Sequence, residues 1–178
     1  MRRTRTKVIR NLIAIYTFIM TADTALAQHV QPAPSNSAPA IGASAIPFNL
    51  KTLEGKSATL EAFRGQPFVL NFFASWCDPC REEMPIINEL TKRPSAKYQV
   101  LGVAVDDTRA AVVEYTKEAK LVFPVALDLN SSVKRSYRIF GPPATFFIDE
   151  NGVIRDIVLG PVTSDRLKEA IKRIGAPQ

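Results

Sequence analysis

Phe72-Phe73-Ala74-Ser75-Trp76-Cys77-Asp78-Pro79-Cys80-Arg81-Glu82-Glu83-Met84-Pro85 decides how this chain is read. The stretch holds the only two cysteines of the 178 residues, two residues apart, where an apolar run gives way to a helical pattern. Upstream, Phe68 to Phe73 is nearly continuous apolar sequence and predicts a central strand buried on both faces. Downstream, Asp78 to Thr91 predicts a helix; Pro85 inside it removes one backbone hydrogen bond and is expected to kink it. Cys77 then sits at or just before the first turn, where unpaired N–H groups and the helix dipole favour a thiolate. Cys80 is close enough to close a disulfide but is turned inward. The spacing thus predicts Cys77 as an exposed nucleophile that forms a mixed disulfide, and Cys80 as the buried thiol that resolves it.

Two other uses of such a pair fare worse. A bridge across two residues closes a very small loop and removes little entropy from the unfolded chain, so a purely structural disulfide is poorly motivated. Half of a zinc site would need two more ligands. There is no third cysteine, and the single histidine, His29, lies far upstream. No metal is expected.

The compartment follows from the first residues. Residues 1–10 are basic, Leu12 to Met20 are mostly apolar, and Ala25-Leu26-Ala27 has the small-x-small form of a cleavage site. That order predicts a secretory signal peptide over 1–27, cut after Ala27, with an uncleaved membrane-anchoring leader as the alternative. The apolar core falls short of the about 20 residues a spanning helix needs. The leader also accounts for most of the net charge of +6: it carries five basic residues and one acid, leaving +2 for the rest. Nucleic acid is therefore not expected as a partner.

Residues 28–45, rich in Pro, Ala, Ser and Gln, read as a flexible spacer, and residues 46–178 as one domain. Ile46 to Leu50 and Lys56 to Leu60 flank Leu53-Glu54-Gly55 as a short hairpin, and Leu60 to Phe63 as one helical turn. Gln99 to Val105 predicts a second buried strand, Arg109 to Lys120 a helix, Phe123 to Leu127 a third strand and Ser131 to Tyr137 a short helix. Ala144 to Ile148 and Val153 to Leu159 form a hairpin around Asn151-Gly152, and Ser164 to Ile174 closes the chain as a helix. Strands alternating with helices imply a mixed sheet covered on both faces.

Four features together resemble the thioredoxin fold, and more closely the exported TlpA/ResA/CcmG-type thiol–disulfide oxidoreductases: Trp76-Cys77-x-x-Cys80, Pro85, Gly141-x-Pro143-x-Thr145-Phe146, and Asp149-x-x-Gly152. The resemblance covers residues 46–174. It implies an α/β thioredoxin fold, a central mixed sheet flanked by helices, with an N-terminal β-hairpin and an extra helix–strand insertion at about residues 107–128. It also implies that Pro143 follows a cis peptide bond opposite the cysteines; only X–Pro bonds adopt cis cheaply. The residue before that proline usually offers backbone N–H and C=O to a docked substrate. Here it is Pro142, which has no N–H, so one backbone donor fewer is expected.

Where plain thioredoxin has a buried Asp, this chain has Asn71, which cannot take a proton. The resemblance moves that duty to Glu83, one helical turn beyond Cys80. Asp78, between the cysteines, disfavours the Cys77 thiolate and argues for a reducing couple. Pro79, the other intervening residue, joins Asp78 and Asn71 as a redox-tuning position. Trp76 is expected either to shield the disulfide or to fill the core, and Met84 to fill the core.

The expectation is a periplasmic enzyme reducing protein disulfides, as in cytochrome c maturation or copper-site assembly. It would act as a monomer, recharged by a membrane thiol transporter, with no dissolved cofactor beyond the redox-active Cys77–Cys80 pair. Two competitors share the fold. A copper-binding metallochaperone would want a distant histidine, which the domain lacks; a thiol peroxidase would want Thr or Ser three residues before the reactive cysteine, where Ala74 stands.

Overall fold

In the computed structural model, residues 38–92 and 98–175 are described. The expected signal peptide and the first residues of the expected spacer lie outside them. The elements run β1 (Asn49–Thr52), β2 (Ser57–Thr59), a 3-10 turn (Leu60–Phe63), β3 (Phe68–Phe73), α1 (Asp78–Thr91), β4 (Gln99–Val105), α2 (Arg109–Glu118), β5 (Val125–Asp128), α3 (Ser132–Ser136), β6 (Ala144–Ile148), β7 (Ile154–Leu159) and α4 (Ser164–Arg173). One seven-stranded sheet has the order β2-β1-β5-β4-β3-β6-β7. β3 pairs parallel with β4, and β4 with β5, while the remaining neighbours are antiparallel. This is the mixed α/β thioredoxin architecture, with the N-terminal hairpin and with α2–β5 as the extra helix and strand.

β3 lies between β4 and β6, and all six of its residues are buried. Because side chains alternate along a strand, Phe68, Leu70 and Phe72 face one layer while Val69, Asn71 and Phe73 face the other. The first set packs with Leu60, Phe63, Tyr137 and Phe146. Val69 and Phe73 pack with Cys80, Met84 and Ile87 of α1, Val112 and Tyr115 of α2, and Leu167 and Ile171 of α4. Met84 and Ile87 are fully buried, a contribution of roughly 2 kcal/mol each. Met84 is thus a core side chain. The chain approaches closely at Gly102 of β4: a Cβ there would stand 3.0 Å from the rings of both Phe73 and Phe123.

Helix starts follow their caps. The hydroxyls of Thr108 and Thr163 accept the N–H groups of Ala111 and Arg166, satisfying donors that α2 and α4 leave open. The turn between β6 and β7 is closed by Asp149, whose carboxylate accepts the N–H groups of Asn151 and Val153, with Gly152 at φ 79°.

One boundary differs from the sequence reading. The spacer expected over 28–45 does not remain unpaired to its end. Gly42 donates to Ile154 O at 2.8 Å, Ile154 N–H to Ala43 O at 2.9 Å, and Ala45 N–H to Gly152 O at 2.8 Å. β7 is an edge strand with open backbone groups, and residues 42–45 take up some of them. Pairing through the main chain leaves no side-chain period to read. No helix among the described residues is long and apolar enough to cross a membrane.

Candidate active site

The end of β3 delivers Cys77 to the N-terminus of α1. Cys77 is the cap residue, with φ −87° and ψ 104°, and its Sγ accepts the N–H of Cys80 at 3.2 Å. The two cysteines are joined in a disulfide. Asp78 and Pro79 open the helix and are exposed; a proline is tolerated here because first-turn N–H groups have no intrahelical partner. Cys80 is fully buried. Cys77 was expected to be exposed, and the structure corrects this: only 4% of its surface is accessible in the disulfide form. Capping the helix turns its sulfur toward the Cys80 amide and away from solvent.

Trp76 is not a core residue. It is 59% exposed, and its indole N–H donates to Asp106 O at 3.0 Å. The Pro142–Pro143 peptide bond is cis. Pro143 is buried and its carbonyl accepts the N–H of Gly160, while Pro142 is partly exposed. Phe140, just before this segment, is fully exposed.

One helical turn beyond Cys80 lies a buried polar group. Alternation along β3 turns Asn71 toward α1, and Glu83 sits one turn beyond Cys80 on that helix. They meet: Asn71 Nδ2 donates to Glu83 Oε1 at 2.9 Å and to Thr145 Oγ1 at 3.0 Å. Thr145 stands directly opposite Asn71 in the β3–β6 register. The other carboxylate oxygen, Oε2, accepts the N–H of Val162 at 2.7 Å. Glu83 is 1% exposed. Burial pushes its carboxyl up to about 7, against the opposing pull of the Val162 and Asn71 donors. Glu82 beside it is exposed. Among the described residues, Asn71 Oδ1 finds no hydrogen-bond partner.

The structure thus brings Cys77, Cys80, Glu83 and Asn71 together around the start of α1. Sequence reasoning missed Val162, in the loop between β7 and α4, which carries no local signal. Thr145 was in view as part of the Gly-x-Pro-x-Thr-Phe stretch, but not as a partner of Asn71. Also missed were Asp106 and Asp107, which hold the segment before Cys77. Among the described residues, no cluster of three or more His, Cys, Asp or Glu is arranged to hold a metal ion.

Known proteins resemble this chain in sequence and in fold. The AhpC/TSA family model matches residues 41–157. The thiol–disulfide oxidoreductase ResA of Bacillus thuringiensis subsp. konkukian is 36% identical over 135 residues, covering 75% of this chain and 78% of that one. ResA of Geobacillus kaustophilus is 32% identical over 178 residues, covering 96% and 94%. The crystal structure of a thioredoxin-family thiol:disulfide interchange protein from Chlorobium tepidum TLS superposes with a TM-score of 0.64 at 27% identity, covering 76% of this chain and 97% of that one. The chain therefore belongs to the AhpC/TSA family and is a thiol–disulfide oxidoreductase of the ResA kind.

Proposed function

We propose that the protein is an exported disulfide reductase of a bacterial periplasm, donating electrons to protein disulfides during cytochrome c maturation or copper-site assembly. The observation that carries the reading is Glu83, a buried carboxyl one helical turn beyond the buried Cys80 and balanced near neutrality at about 7. In the reduced protein, the Cys77 thiolate at the helix N-terminus attacks one sulfur of the substrate disulfide, and the other substrate sulfur leaves as a thiolate. Cys80 gives its proton to Glu83 and attacks the Cys77 sulfur. The Cys77–Cys80 bond forms, the mixed disulfide breaks, and the second substrate thiolate departs. Two electrons pass to the substrate, whose two thiolates take up protons, one of them returned by Glu83. A carboxyl near 7 is suited to this shuttle because both of its states are populated at neutral pH.

The remaining residues take these roles. Pro143 takes the place opposite the disulfide that the resemblance implies, and Pro142 offers a docked chain a carbonyl but no N–H. Exposed Trp76 meets the substrate protein. Asp78 opposes the thiolate and, with Pro79 and Asn71, tunes the couple toward reduction. The pair is the redox group, no dissolved cofactor is used, and the monomer is the working form. Export rests on the leader over residues 1–27, and a membrane thiol transporter recharges the pair. The test is Cys80→Ala expressed with its leader intact: substrates are expected to be stranded on Cys77 as mixed disulfides, recoverable from the periplasm. A potential as oxidising as about −120 mV, typical of a disulfide donor, refutes the reductase direction.

A further inference from the structure

Ser75, two residues before Cys77, has both backbone groups held by charged side chains. Its N–H donates to Asp107 Oδ2 at 2.6 Å, and its carbonyl accepts from Arg81 Nη1 at 3.1 Å. The Trp76 indole is tied to Asp106 O, and Cys77 N–H closes the turn onto Ala74 O at 3.2 Å. These bonds hold a short segment that belongs to neither β3 nor α1. Bonds to charged groups are about twice as strong as neutral ones, so Ser75 is gripped from both sides.

The groups that grip are themselves held. Asp107 Oδ1 accepts Thr108 N–H at 2.8 Å, at the start of α2. Arg81 Nη2 bonds Glu118 Oε1 of α2 at 2.7 Å, and its guanidinium lies 4.8 Å from the centre of the Tyr115 ring, also on α2. Asp106 has φ 51°, a left-handed conformation unfavourable for a residue with a side chain, and its carboxylate takes Ser131 and Lys134. All of these contacts lead into the extra helix–strand segment or the short helix after it.

We infer that Asp107 and Arg81 are positioning residues for Cys77, and that the inserted α2 segment serves as the frame of a clamp on the turn preceding it. Neither residue reaches the reacting sulfur; both act through the Ser75 peptide, whose placement sets where Cys77 enters the helix N-terminus. The inference rests on Cys77 being the attacking sulfur in the function proposed above.

The test uses Trp76, the only tryptophan of the chain, as its probe. Reduced Asp107→Ala and Asp107→Asn proteins are compared by fluorescence anisotropy and by their rate toward a small disulfide reporter on the high-pH plateau, where the thiol is fully ionised. Alanine removes the acceptor of Ser75 N–H, whereas asparagine keeps an oxygen there. Asp107→Ala is expected to free Trp76 and slow the plateau rate about tenfold, with Asp107→Asn restoring most of both. Parent-like anisotropy and plateau rate in Asp107→Ala overturn the inference, even if its melting temperature falls. If that variant does not fold, Glu118→Ala, which removes the acceptor of Arg81 Nη2, releases Arg81 instead: shifts of the same sign support the clamp, and parent values overturn it. Capture of the reporter by Cys80→Ala is scored separately. Capture alongside unchanged Asp107→Ala rates refutes only the clamp, and failure to capture refutes Cys77 as nucleophile.

Discussion

Replacing Glu83 with Gln is expected to remove a defined part of the protein's pH-dependent stability. In the unfolded chain this carboxyl loses its proton near 4.5, while in the fold it keeps the proton up to about 7. Between those values the folded state binds more protons than the unfolded state, so stability falls as pH rises. The contribution is fully present below about pH 4.5 and is lost by about pH 8. Each unit of pKa difference is worth about 1.4 kcal/mol, so the total is about 3 kcal/mol. The group is nearly inaccessible, so solvent screening does not dilute this figure. Gln is a close mimic of the protonated state: its oxygen can accept Val162 N–H, and its amide can donate to Asn71 Oδ1, which lacks a partner among the described residues, if the Asn71 amide turns over. The assay is urea unfolding of the oxidised protein, in which neither cysteine titrates, at steps from about pH 5 to about pH 9. The parent-minus-variant difference should fall by about 2.5 kcal/mol across that range, the rest of the contribution being lost already below about pH 5. A flat difference, or one that rises with pH, refutes the buried-carboxyl argument. In the reduced protein the same variant should slow resolution of the mixed disulfide and lose the step near neutrality from its pH profile.

Gly102→Ala is expected to cost about 1–3 kcal/mol in urea unfolding, because its Cβ would press on the Phe73 and Phe123 rings at 3.0 Å; an unchanged midpoint would show that the rings have room. Asp156 on β7 is 1% exposed and holds Arg166 at 2.6 and 2.5 Å and Arg173 at 3.0 Å. Burial opposes its ionisation, but Arg166, the Ile157 N–H and Arg173 outweigh burial and keep the carboxyl below its ordinary range. Asp156→Ala should therefore cost about 2–3 kcal/mol at neutral pH, a loss that shrinks as acid protonates the parent carboxylate. A variant equally destabilised in strong acid and at neutrality would contradict the charge argument.

The sequence by itself determined the order of elements and the position of the cysteine pair at a helix start. Those properties are local: an apolar run marks β3, Gly and Pro punctuate the turns, and a two-residue gap at the mouth of α1 is visible without neighbours. The residue types Asn71 and Glu83 were equally legible, as was Pro143. The sequence did not show that Asn71 and Glu83 touch, that Thr145 completes the pair from β6, or that Val162 arrives from beyond β7 to hold the second carboxylate oxygen. Those contacts join residues 12 to 79 positions apart, through sheet register and helix packing that no local pattern records. The rise of the Glu83 carboxyl to about 7 comes from its burial, a property of the surroundings. Tertiary structure likewise decided the exposure of Trp76, which is set by where the loop after β4 places Asp106, and the shielding of Cys77, which follows from its cap geometry. At the opening Cys77-Asp78-Pro79-Cys80 stretch, local sequence supplies the cysteine pair, and distant segments decide how it is held and what is buried beside it.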